Sequence, residues 1–89
     1  MIEVTFSPSF KRAYKKFIKN DEERKKKYLE SLKIFLANPF DVRLKLHKLT
    51  GKLSDQWSFT VEYDVRILLY FETENKVVFI NIGTHDEVY

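Results

Sequence analysis

The chain opens on alternation. Ile2-Glu3-Val4-Thr5-Phe6 sets an apolar side chain at every second position, the period of a half-buried strand. Ser7-Pro8 follows, an N-cap side chain with proline at the first helical position. Phe10, Ala13, Tyr14, Phe17 and Ile18 then recur at helical spacing, with Lys11, Arg12, Lys15, Lys16 and Lys19 on the other side. Asn20 and Glu23 have the spacing of a capping box and predict the start of a second helix, whose apolar stripe is Tyr28, Leu29, Leu32, Phe35 and Leu36. Pro39 disfavours helix in the residue before it, so this helix should stop near Asn38. Two amphipathic helices around a short polar break predict an antiparallel helical hairpin.

From Phe40 to Ser54 the pattern loses its period. Leu44, Leu46, Leu49 and Leu53 are interleaved with Arg43, Lys45, His47, Lys48 and Lys52, and Thr50-Gly51 marks a turn. This reads as an ordered basic loop anchored by its leucines. Alternation then returns: Trp57, Phe59, Val61 and Tyr63 are set against Ser58, Thr60 and Glu62. A turn at Tyr63-Asp64 should reverse the chain into the strand Arg66–Phe71, and Glu72–Lys76 should reverse it again into Val77–Ile82. The residues after it, Gly83-Thr84-His85-Asp86-Glu87-Val88-Tyr89, read as a polar tail. The element order β-α-α-β-β-β predicts an α+β fold, an antiparallel C-terminal meander packed against an N-terminal helical hairpin.

At 89 residues and 44% hydrophobic content the chain is long enough for a single modest core. It has no cysteine, which removes disulfides and thiolate metal sites. No segment is long and apolar enough for a signal sequence or a membrane span, so the expectation is a soluble, cytoplasmic protein with no membrane partner. Charge divides the chain unevenly. Residues 1–53 hold 14 Lys/Arg against 6 Asp/Glu, and residues 54–89 hold 2 against 7, so +8 and −5 make up the total of +3. A basic block of this kind suits a polyanion, because each neutralised phosphate releases counterions. The competing reading is a set of ordinary solvated lysines.

The chemistry-bearing residues are few. His47 and His85 are the two histidines, and no HxH, HExxH or acidic cluster has metal-ligand spacing, so neither a metal nor another cofactor is expected. Two glycines cannot build a phosphate-cradling loop. The remaining set of histidine, arginine, tyrosine and lysine suits metal-free RNA cleavage. That reaction takes a proton from the ribose 2′-OH, protonates the leaving 5′-oxygen and needs a cation at the phosphate. Histidine suits either proton role near neutral pH, and arginine offers a bidentate fork to phosphoryl oxygens. Arg66 interrupts an apolar strand, sharing a face with Leu68 and Tyr70 by period two; it needs water, an acid or a ligand, and the plainer possibility is a salt bridge to Glu62 or Asp64. Asp86 could orient His85, whereas a terminal aromatic such as Tyr89 could simply pack down. Lys45, Lys48 and Lys52 could contact RNA or be merely solvated.

Taken together, the opening strand with SPSFKRAYKKF, the loop LHKLTGKLSDQWSF, the strand start DVRILLYF and the ending INIGTHDEVY resemble the RelE/ParE superfamily of bacterial and archaeal type II toxins, in particular its RelE- and YafQ-like mRNA endonucleases. The resemblance covers nearly the whole chain and implies one RelE-like toxin domain over residues 1–89. It also implies a toxin that enters the ribosomal A site, cleaves mRNA there beside ribosomal RNA, and is silenced by a cognate antitoxin. Residue by residue, it places His47 at the loop histidine before L-x-G, Arg66 at the strand arginine of RelE-like members, His85 at the histidine of the GTH ending and Tyr89 at the C-terminal aromatic. Thr60, Val61 and Glu62 stand where YafQ-like members have a further histidine, and Val65-Arg66 where they have Asp-Trp. The implied site is therefore a hybrid, with His47 and His85 sharing proton transfer and Arg66 on the phosphate. ParE-like members, which act on DNA gyrase without nuclease chemistry, define the alternative function.

Overall fold

The computed structural model of the chain describes residues 2–53 and 55–89; the side chain of Leu53, expected as one of the loop anchors, and Ser54 lie outside them. The elements are β1 (Glu3–Phe6), α1 (Pro8–Ile18), α2 (Glu22–Ala37), β2 (His47–Lys48), β3 (Trp57–Glu62), β4 (Val65–Thr73), β5 (Lys76–Thr84) and α3 (His85–Val88), with 3₁₀ turns at Val42–Leu44 and Gly51–Leu53. The architecture is α+β. Its five strands lie in the order β1-β5-β4-β3-β2. The expected meander β3-β4-β5 forms the centre, with Phe59↔Ile67 and Ile67↔Ile82 in register. The opening strand joins it in parallel beside β5, pairing Val4 with Val77 and Phe6 with Phe79. Strand pairing across that distance in sequence has no local signal, which is why alternation alone left β1 unplaced.

Both long helices pack on the sheet face that carries Phe59, Ile67, Leu69 and Phe79. Phe35 stacks on Phe59 with ring centroids 4.9 Å apart, and Phe10 meets Phe79 edge-on at 5.4 Å. The helices meet each other through Tyr14 and Tyr28, 4.7 Å apart. Phe35, Phe59 and Phe79 are fully buried, and each such ring contributes roughly 1.5–3 kcal/mol of transfer free energy. Burial pushes the Tyr28 hydroxyl up to about 12, with the neighbouring Tyr14 adding to the shift.

The caps explain the helix boundaries. Ser7 Oγ accepts the Phe10 N–H at 3.1 Å, as expected. The second cap is a correction: Asp21, not Asn20, caps α2, its Oδ1 accepting the Arg24 N–H at 3.0 Å. Asn20 instead takes φ 56°, the left-handed conformation asparagine tolerates, and turns the chain out of α1. At the far end Asn38 is extended and its N–H reaches the Ile34 carbonyl at 2.9 Å.

Two segments hold more structure than periodicity suggested. The basic loop contains β2, a two-residue strand pairing His47 with Ser58 and Lys48 with Trp57. The polar tail is not a tail. β5 runs to Thr84, and the next four residues form a helical turn started by a capping box, in which Glu87 Oε1 accepts the Thr84 N–H at 2.8 Å. No helix among the described residues is long and apolar enough to cross a membrane.

Candidate functional site

The second face of the sheet, opposite the two long helices, is where the chemistry collects. Register alone arranges it in rows. His47, Ser58 and Leu68 pair across β2, β3 and β4, and one row along come Thr60, Arg66 and Gly83. Ser58 and Leu68, at positions that alternation assigned to an outward face, are buried; Ser58 is 0% exposed. The cover is α3, which packs on β4 and β5 and brings the Tyr89 hydroxyl into a hydrogen bond with Ser58 Oγ.

His47, Lys48, Leu49, Thr50, His85 and Tyr89 line one open cleft of about 430 Å³. Three of the four candidate catalytic residues and one of the three candidate RNA-binding lysines therefore meet at one place. His85 and Tyr89 stand one helical turn apart, their rings edge-to-face at 4.5 Å. The Tyr89 N–H donates to the His85 carbonyl at 3.1 Å. His85 Nδ1 lies 3.6 Å from the Asp86 carboxylate, an ion-pair distance when the ring is protonated.

On the other wall, Lys45 adopts φ 54° and turns its carbonyl to His47 Nδ1 at 3.1 Å. A carbonyl only accepts, so Nδ1 carries the hydrogen and the neutral ring keeps its lone pair on Nε2.

Arg66 does not line this cleft. Its Nη1 donates to main-chain carbonyls at the β3–β4 turn, to Tyr63 at 3.2 Å and more loosely to Val65 and Glu62 at 3.4 and 3.5 Å. The alternative of a salt bridge to Glu62 or Asp64 is not realised; among the described residues Arg66 makes no ion pair, and Nε and Nη2 make no hydrogen bond. Lys45 and Lys52 are exposed and flank the cleft's basic wall in sequence without lining it.

Two residues were missed by sequence reasoning. Ser58, the anchor for Tyr89, looked like one more outward polar position; only knowing that α3 folds over it reveals the role. Glu87 holds α3 in place, and the signal was available in Thr84-His85-Asp86-Glu87, which has the spacing of a capping box. The Thr84 N–H and hydroxyl bonded to its carboxylate hold Glu87 below the usual carboxylate range, helped by Lys16 and Arg24. Among the described residues no three His, Asp or Glu side chains gather as a metal-ligand group.

A five-stranded sheet with its long helices on one face and a short terminal helix on the other is the fold of RelE-superfamily type II toxins. The family profile described as bacterial toxin of type II toxin-antitoxin system, YafQ, matches residues 2–89, and the chain belongs to this family. YafQ from E. coli strain BL21(DE3) is similar in fold, with TM-score 0.77 and 21% identity over 100% of this chain and 99% of that one. YafQ in the E. coli DinJ–YafQ complex matches with TM-score 0.75 and 24% identity over the same shares. A chain of the YoeB–YefM complex from Staphylococcus aureus matches with TM-score 0.75 and 26% identity, over 96% of this chain and 98% of that one. No curated protein matches the sequence.

Proposed function

We propose that this toxin is a ribosome-dependent mRNA endoribonuclease that cleaves by attack of the ribose 2′-OH on the adjacent phosphate, without a metal, and that a cognate antitoxin silences it. The observation that carries the reading is the convergence of His47, Lys48, His85 and Tyr89 on one cleft from two distant parts of the chain. The antitoxin partner is supported by relatives that have the same fold and come from DinJ–YafQ and YoeB–YefM complexes.

The hydrogen bonds support one division of roles. His47, with its hydrogen on Nδ1, takes the 2′-OH proton on Nε2 as general base. The 2′-oxygen bonds to phosphorus, the bond from phosphorus to the 5′-oxygen breaks, and protonated His85 gives the leaving oxygen its proton. The products are a 2′,3′-cyclic phosphate and a 5′-hydroxyl. Asp86 sits where it holds the charged His85 ring. Tyr89 acts through its ring, stacked on the splayed base, because its hydroxyl is engaged by Ser58. Lys48 places a cation in the cleft, and Lys45 and Lys52 hold flanking phosphates. Arg66 joins them by exchanging its turn carbonyls for phosphoryl oxygens, which form the stronger charge-assisted bond.

The test is primer extension on mRNA in a translating extract. Wild type should cut within translated codons, and His47→Ala and His85→Ala should each lose on the order of 10²–10⁴-fold. Replacing the leaving 5′-oxygen by sulfur, which needs no proton, should rescue His85→Ala and leave His47→Ala inactive. Intact mRNA beside arrested growth would move the assignment to the gyrase-directed activity of ParE-like members and remove every catalytic role given above.

A further inference from the structure

A second pocket, of about 440 Å³, adjoins the cleft and is lined by Lys48, Asp55, Gln56, Trp57, Tyr70 and Phe71. Lys48 belongs to both. The register explains why they are neighbours. Trp57 pairs with Leu69, so the next residue out, Gln56, stands across from Tyr70, one row beyond Ser58 and Leu68 on the face that carries His47. Strand β2 is held against this place by the Leu49 N–H, which donates to the Gln56 carbonyl at 2.9 Å. Lys48, shared by both linings, stands between the histidine cleft and this pocket.

The lining has the chemistry of a base-binding site. Tyr70 is 38% exposed, a large aromatic surface immediately after the buried run Ile67–Leu69. Trp57 is fixed edge-on between Phe71 at 5.5 Å and Phe40 at 6.1 Å, so the back wall is rigid. Gln56 Oε1 is a buried acceptor with no hydrogen-bond donor among the described residues. A buried acceptor is costly until a donor reaches it. The Asp55 carboxylate on the same lining is a second acceptor. Two acceptors beside an aromatic platform call for a flat ring with an amino edge.

We propose that this pocket binds the nucleobase next to the scissile nucleotide, with the base stacked on Tyr70 and its exocyclic amine donated to Gln56 and Asp55, while Lys48 neutralises the phosphate between the two sites. The inference rests on the RNA-cleaving activity proposed above and adds a specificity to it. Cytosine turns an amine to the acceptors; uracil turns a carbonyl oxygen to the same place and is repelled. The pocket therefore selects cytidine over uridine at that position.

The experiment uses the full chain and two fluorescein-labelled single-stranded RNA hexamers that differ only by cytidine or uridine beside the cleavable bond. Binding is read by fluorescence anisotropy, and cleavage by primer extension on ribosome-bound messages carrying the same exchange. Wild type should prefer the cytidine RNA several-fold in binding and in cutting. Gln56→Leu should erase the preference and still cleave. Tyr70→Ala should weaken both RNAs by about ten-fold or more, and Tyr70→Phe should restore them, since stacking needs the ring and not the hydroxyl. Thermal melts of each variant separate loss of the pocket from loss of the fold. Cleavage that persists with no difference between the RNAs, or a preference that survives Gln56→Leu, overturns the subsite and leaves the nuclease reading standing. A wild-type protein that neither binds nor cuts either RNA overturns both.

Discussion

The hydrogen bond between Tyr89 and Ser58 ties the last residue of the chain to the middle of β3, and its two ends differ in burial. Ser58 is 0% exposed and Tyr89 41%. Removing the exposed partner and removing the buried one are therefore different perturbations. In Ser58→Ala the Tyr89 hydroxyl turns to water, and the loss is the net value of one hydrogen bond, about 0.5–1.5 kcal/mol. In Tyr89→Phe the Ser58 hydroxyl stays buried without that partner, and the loss is its desolvation, about 1–3 kcal/mol. The double variant should resemble Ser58→Ala, because once the serine hydroxyl is gone the phenol has nothing left to satisfy. The coupling is then of the size of the Tyr89→Phe loss, about 1–3 kcal/mol, as expected for residues in contact. In a domain of this length 1 kcal/mol moves the midpoint by roughly 4–8 °C, so calorimetry on the four proteins resolves the order. Tyr89→Phe should melt lowest, and mRNA cleavage should fall with it as His85 loses its support. Equal melting of the two single variants, or additive losses in the double, would refute the reasoning and mean that α3 frays and lets water reach Ser58 unaided.

The cap of α3 gives a pH dependence. Glu87 titrates below its ordinary 4.5, so its contribution is present above that value and is lost as pH falls through the lowered one; the Thr84 amide should lose exchange protection only in that acidic window. Gly83→Ala should disturb the same cap, because the added Cβ would stand 2.8 Å from Glu87 Oε1 and 3.1 Å from its Cβ; a loss of about 0.5–2 kcal/mol in denaturant titration is expected. Tyr28 ionises at about 12 against an ordinary 10, so its contribution to stability is full below pH 10 and disappears between the two values; ultraviolet titration should find one late tyrosine that becomes normal on unfolding.

Much of this fold is written locally. Helical spacing in Phe10–Ile18 and Tyr28–Leu36, and alternation in Trp57–Tyr63, were enough for the two long helices and the meander, since the period of burial is a property of each element alone. The misses are contacts made across the chain or in very short elements. Two residues of β2 carry no period. The partner of β1 lies some seventy residues away along the chain, at Lys76–Phe79. The site divides the same way. His47, His85 and Tyr89 could be suspected one at a time, and it took the β2–β3 pairing and the turn of α3 to bring them together. Arg66 was suspected for interrupting an apolar strand, and that reasoning was sound about its cost. Three main-chain carbonyls at the neighbouring turn, invisible in side-chain patterning, were what met it.

The distribution of charge acquires a different meaning in three dimensions. The basic first half read, from the sequence, as a single surface suited to a polyanion. Most of that charge, however, stands on α1 and α2, and those helices pack on the Phe59 and Phe79 face, away from the cleft. Of the 14 Lys/Arg in residues 1–53, the one that lines the cleft is Lys48. Screening falls off over about 8–10 Å at physiological salt, so most of the helix lysines act little on a phosphate at His47, although Lys16 and Arg24 reach Glu87 on α3. The two jobs are therefore separate. Lys45, Lys48 and Lys52, clustered on the segment that forms one wall, set the local potential where bond cleavage is proposed. The helix lysines give the opposite face a positive field of its own, separate from the charge at the cleft.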